Sequence, residues 1–220
     1  MLKRTLRRLL VERRLEEIAD LAARSRRVLG DLVPLTFDPD PGIAWRAVVA
    51  MGRAAARIAD DDPAFVREQL RRLHWLMQEE SGGVCWRAPE AMAEIVSRRP
   101  ELFAEYVPIV AHFLVELAPE DLRHFRAGVL WAIGRMGAPA RAQVAEVGPA
   151  MVAALDDPAP QVRGMAVWAL TRVGETAALA RRSDLVADVG PVELFDGEEL
   201  TRTTVGALMP IPRSTPPRAF

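Results

Sequence analysis

The stretch Gly42-Ile43-Ala44-Trp45-Arg46-Ala47-Val48-Val49-Ala50-Met51 returns, 41 residues on, as Gly83-Val84-Cys85-Trp86-Arg87-Ala88-Pro89-Glu90-Ala91-Met92. The same frame continues through Phe125-Arg126-Ala127 to Leu130-Trp131, then through Val162, Ala166 and Ala169-Leu170, and faintly through Leu200, Thr204, Ala207 and Leu208. Successive offsets of 41, 39, 39 and 38 make a period near 40. That is the length of a unit of two antiparallel helices that buries its apolar face only by stacking on its neighbours.

Residue types around the frame fit the same unit. Asp156-Asp157-Pro158-Ala159-Pro160 and Asp38-Pro39-Asp40-Pro41 are acidic, proline-containing turns. Proline suits them because it stops the preceding helix and is tolerated in the first turn of the next. First helices of each unit are predicted at about 22 to 36, 63 to 78, 101 to 117, 140 to 155 and, more weakly, 177 to 194. Leu35, Leu76, Val115, Ala154 and Val192 share their core column.

The run Asp156 to Val162-Arg163, followed by Ala166, Ala169-Leu170 and Val173-Gly174, resembles the second-helix pattern of HEAT repeats. The resemblance covers roughly residues 22 to 209. It implies an all-α, right-handed α-α superhelix of about five HEAT-like helix pairs, and is nearly silent on function. Residues 1–21, with Lys3, Arg4, Arg7, Arg8, Arg13 and Arg14 interleaved with leucines, read as a basic amphipathic helix. It either caps the first repeat or serves as an arm for an acidic partner, RNA or a membrane surface. Residues 210–220 form a proline-rich tail.

Composition sets outer limits. With 220 residues, half of them apolar, the chain is long enough for a substantial core, and a net charge of −1 supplies no global field for nucleic acid. The single cysteine, Cys85, makes no intramolecular disulfide, so a reducing, cytoplasmic setting is expected. No run is apolar enough to span a membrane, no Cys/His cluster has metal-ligand spacing, and no cofactor is implied.

On a helical wheel Ile43, Ala47, Ala50 and Met51 face the core. Trp45, Trp86 and Phe125 then fall almost opposite, on what would be the concave surface, flanked by Arg46, Arg87 and Arg126. A further outward column holds Val49, Glu90, Val129 and Trp168. Three readings fit this aromatic and charged strip. The helix phase is off by one residue, or the N-terminal helix or the proline-rich tail covers the strip; it is a groove for a peptide, helix or protein partner; or it binds a small molecule or nucleic acid through stacking and arginines.

The second unit departs from its siblings at Glu79-Glu80-Ser81-Gly82-Gly83 through Trp86-Arg87-Ala88-Pro89-Glu90 and on to Glu94. Ser81, Gly82 and Gly83 precede a helix start, where they make either an anion nest or a plain capped turn. Glu90 and Glu94 are four apart on one face, available for acid/base work or for pairing with arginine. The block resembles one found in bacterial HEAT-like proteins, which implies no activity.

Two functions follow. One is a non-catalytic scaffold that binds a protein or peptide through the concave face of repeats 2 and 3, at Trp45, Arg46, Trp86, Arg87, Glu90, Glu94, Phe125, Arg126 and Trp168. The alternative is a DNA-lesion glycosylase-like or cofactor-modifying enzyme in the same groove. Resemblance to the HEAT-like alkylpurine glycosylases extends to aromatics and arginines, but Glu90 stands where those enzymes use aspartate, and the net charge disfavours duplex DNA.

Overall fold

The computed structural model describes residues 2–77, 87–117 and 123–210, with Arg123 and His124 described as helical backbone alone. Ser81, Gly82, Gly83, Cys85, Trp86 and the tail from 211 lie outside the described residues.

Local signals set the helix starts. Helix α4 (Pro41–Ala59) begins with Pro41 in its first turn, and the Asp40 side chain accepts hydrogen bonds from the amides of Gly42 at 2.8 Å and Ile43 at 3.2 Å. Such a cap contributes about 1 kcal/mol. Helix α11 (Pro160–Val173) starts with a proline in the same way and ends on Gly174, whose φ of +89° suits glycine alone.

Among the described residues five helix pairs stack. They are α1 (Leu2–Val11) with α2 (Leu15–Arg24), α3 (Arg27–Leu32) with α4, α5 (Pro63–Met77) with α6 (Ala88–Arg98), α8 (Val107–Glu116) with α9 (Arg123–Met136), and α10 (Val144–Ala153) with α11. One turn, α7 (Pro100–Phe103), leads into α8. Second helices α2, α4, α6, α9 and α11 lie side by side in one layer, with the first helices behind them.

The count of five agrees with the repeat, but the pairs are displaced along the chain. Residues 2–24 form two helices rather than one arm, and α1 buries Leu6, Leu9 and Leu10 against the next pair while Arg7 grips Asp38 at 2.7 Å. At the other end the expected fifth pair is absent. After the short α12 (Thr176–Ala180) the chain makes an antiparallel hairpin of β1 (Pro191–Phe195) and β2 (Leu200–Thr204), then the short α13 (Val205–Leu208). Val192, Leu194 and Phe195 of β1 are buried.

Of the first-helix core column, Leu35, Ala154 and Val192 are buried and Leu76 is half-buried, whereas Val115 is 55% exposed. In α8 it is Phe113 and Leu114 that turn inward, and Val115, about 100° further round the helix than Leu114, faces water.

Candidate functional site

Helix α4 is buried on nearly every side, Trp45, Val48 and Val49 included. Neighbouring helices bury most of it, and over Trp45 the cover is the hairpin. It lies across the second-helix layer, and Val192 fits against Gly164 of α11, where any Cβ would collide with it. The Gln161 amide pairs with the Glu193 backbone twice at 2.8 Å, donating to the carbonyl and accepting from the N–H as an adjacent strand would. Trp131 of α9 donates its indole N–H to the Phe195 carbonyl at 2.7 Å. The Phe195 ring stacks on Trp45 of α4, centroids 5.0 Å apart and planes within 7°, and Trp45 in turn meets Trp131 at 4.7 Å. Arg13 reaches Glu199 at 2.8 Å from the opposite end of the stack.

Beneath the hairpin remains a cavity of about 530 Å³. Trp45, Trp131 and Met165 give it apolar walls, Arg87 and Glu90 enter from the start of α6, and Glu193 and Arg202 stand at its rim on the strands. Gly128 of α9 lets Glu90 lie deep: a Cβ there would sit 2.7 Å from the Glu90 carboxyl. Glu90 is 3% exposed, and its Oε2 has no hydrogen-bond partner. Burial pushes its pKa up to about 7, with Arg87 pulling it back in part from 3.6 Å. The Arg87 guanidinium lies over the Trp45 ring, 4.1 Å from the centroid.

The residues singled out from the sequence divide. Trp45, Arg87 and Glu90 meet in this cavity. Glu94, one turn along α6, is fully buried and held by Arg135 at 2.6 Å and Arg98 at 3.3 Å. Phe125 does not face a groove; it is 1% exposed and meets Phe113 of its own pair edge-on at 5.3 Å, so it is core. Arg126 is partly buried and makes a 2.7 Å ion pair with buried Asp157, and Trp168 is half-buried over Gly134 with Arg172 across its ring. Arg46 is half-buried beside Gly42. None of these four lines the cavity. Trp86 and the Ser81-Gly82-Gly83 turn lie outside the described residues.

Trp131, Gly128, Gln161, Met165 and the hairpin residues are the part of the site that helical spacing did not single out. A glycine inside a helix costs about 1 kcal/mol against alanine, so Gly128 and Gly164 are signals of close approach. Among the described residues no three His, Cys, Asp or Glu side chains gather to hold a metal ion. None of the described helices is long and apolar enough to cross a membrane.

Comparison with known proteins agrees with the architecture. The HEAT-like repeat family matches residues 123–173, the span from α9 through α11. An uncharacterized protein of Archaeoglobus fulgidus is 27% identical over 197 residues, covering 81% of this chain and 91% of its own. A designed armadillo repeat protein aligns with 95% of this chain and 97% of its own at 17% identity, with a TM-score of 0.43. The family match covers α9 to α11 and the helix pairs before it stack in the same manner, so the chain is an all-α stack of helix pairs with a HEAT-like repeat at residues 123–173.

Proposed function

We propose that the protein is a binding scaffold that takes a group from a protein or peptide partner into the cavity between its second helices and the hairpin. Solenoids of this kind generally serve as protein-binding scaffolds, since their stacked second helices offer an extended surface. Here the hairpin covers Trp45 and Trp131, so what is offered to a partner at that place is a cavity rather than an open groove. A single observation carries the reading: a buried carboxyl, Glu90, lines a 530 Å³ cavity with one oxygen unsatisfied. A buried polar group without a partner costs about 1–3 kcal/mol, and an inserted group that completes its hydrogen bonds recovers that cost.

The test is to select peptides against the full chain and map their binding by backbone amide shifts. Shifts centred on Gly128, Gly164 and residues 191–204 support the reading. Shifts centred on the first helices overturn it.

One observation favours a second, catalytic reading. A carboxyl in a cavity with a pKa near 7 is suited to general acid/base chemistry, and tryptophans beside it suit a flat substrate. Binding to duplex DNA with steep salt dependence, lost in Glu90→Gln, would favour a DNA-lesion enzyme over the scaffold.

A further inference from the structure

The cavity has a charge pattern that selects its guest. Glu90 is the charge held deepest in it, with a side-chain exposure of 4%, whereas Arg87 is 23% exposed and Arg202, paired with Glu193 at 3.3 Å, is 89% exposed. The buried face presented to a guest is therefore acidic, and both arginines reach toward water. An entering anion would meet the Glu90 carboxylate at short range in a poorly screened setting. An entering cation would find a carboxylate together with the rings of Trp45 and Trp131, whose faces attract positive charge.

The chain itself displays the arrangement in incomplete form. Arg87 rests on the Trp45 face, yet its Nη1 stops 3.6 Å from Glu90 Oε1, beyond hydrogen-bonding distance, and leaves Oε2 untouched. From its place at the N-terminal edge of α6, three residues before Glu90, it reaches the ring but not the carboxyl. A guest entering from beneath the hairpin is not tethered in this way.

We propose that the cavity recognises a basic group, the guanidinium or ammonium of an arginine or lysine type, which displaces Arg87 from Trp45 and pairs with both oxygens of Glu90. This rests on the binding reading above and gives it a ligand class. Arg87 is then an internal stand-in that partly balances the Glu90 charge until the guest replaces it. A guanidinium has the better geometry, because its two parallel N–H groups match both carboxylate oxygens.

The exchange is coupled to protons. Glu90 must ionise to pair with a cation, so binding strengthens as pH rises through about 7 and levels off above. The charged groups around it are Arg87 on its own helix, Glu193 and Arg202 on the strands, and, one turn on, Glu94 with Arg98 and Arg135.

The experiment uses the full chain and reads tryptophan fluorescence on titration with capped Gly-Arg-Gly, Gly-Lys-Gly, Gly-citrulline-Gly and Gly-Glu-Gly peptides and with methylguanidinium chloride. The arginine peptide is expected to bind at least roughly tenfold more tightly than the neutral citrulline isostere, a loss typical of a charge-assisted pair. Glu90→Gln removes that preference and the pH dependence, with its thermal melt confirming the fold. Arg87→Ala tightens arginine binding several-fold, a gain that misfolding does not produce. Equal affinity for the peptide and for methylguanidinium would identify a free small cation as guest, and tighter binding of the peptide a partner's side chain; both support the basic class. Equal binding of citrulline and arginine, or preference for Gly-Glu-Gly, overturns the inference while leaving a binding cavity in place. Tight arginine binding untouched by Glu90→Gln and Arg87→Ala puts the guest elsewhere and removes this reading of the cavity as well.

Discussion

Glu90 and Glu94 stand four residues apart on one face of α6, both buried, each opposite a glycine of a neighbouring second helix. Glu94 faces Gly52 of α4 and is clasped by Arg135 and Arg98; Glu90 faces Gly128 of α9 and has only Arg87, at 3.6 Å. The repeat unit thus supplies two similar positions, and the neighbouring helices make one of them structural and leave the other chemically open. The difference lies in which helix contributes an arginine: α9 places Arg135 beside Glu94, and two turns earlier, beside Glu90, it has Gly128.

The largest expected effect comes from breaking the ion-paired side, where Glu94 Oε1 lies 2.6 Å from Arg135 without a well-aligned hydrogen bond. Glu94→Gln leaves two arginines, Arg98 at 29% and Arg135 at 21% side-chain exposure, without their carboxylate. Loss of one partner of a buried pair costs about 3–5 kcal/mol; since Arg98 and Arg135 keep some access to water, the lower end, roughly 3 kcal/mol, is expected. Glu90→Gln should be neutral or stabilising near pH 7, because it replaces an undercompensated acid. Urea unfolding of both variants checks this. Equal destabilisation would mean that Glu90 is also structural.

A second test separates the two by pH. Folding raises the Glu90 pKa from 4.5 to about 7, so between these values the folded state binds more protons than the unfolded one, and stability falls as pH rises. The penalty is absent below about 4.5, grows through the window and is complete above about 7, reaching on the order of 3 kcal/mol. His112, raised by its bond to Glu146, tilts the curve in the same direction but is close to solvent. The measurement is therefore the difference between parent and Glu90→Gln. A difference that does not change across this window would show that Glu90 keeps an ordinary pKa.

The stacked pairs were legible because their signals are local: the period, the Asp-Pro turns and the glycine after α11 act within a few residues of where they are written. The hairpin has local marks too, with Val192 and Leu194 on either side of Glu193, Asp196-Gly197 at a turn, and Thr201, Thr203 and Thr204 after it. The repeat frame, extended past Gly174, overrides them and predicts a helix pair in their place. The cavity was less legible still. Trp45, Arg87 and Glu90 can be chosen from spacing and residue type, but Trp131 and Gln161 acquire their roles from a strand that follows them by more than thirty residues. Phe125, in the same column as Trp45, falls into the core because α9 presents its first turn to α8.

The smallest expected effect is also the one that isolates the two glycines. Replacing either by alanine gains about 1 kcal/mol of helix propensity, so the outcome depends on what the new methyl group meets. At Gly52 it meets the Glu94 backbone carbonyl at 2.9 Å and the clasped carboxyl at 3.0 Å, neither of which can move without separating α4 from α6. Overpacking of that kind costs about 1–3 kcal/mol, so Gly52→Ala should be destabilising by roughly 1 kcal/mol net. At Gly128 the methyl meets the tip of Glu90, 2.7 Å away, and that carboxyl has a cavity to swing into. Gly128→Ala should therefore leave stability nearly unchanged while moving Glu90 toward water, which brings its pKa back down toward 4.5 and flattens the pH curve described above. Denaturant midpoints measured below pH 5 and above pH 8 for the two variants test both statements. If Gly128→Ala keeps the full pH dependence, or destabilises as much as Gly52→Ala, then Glu90 has no room to move and the cavity is closed to a guest at that point.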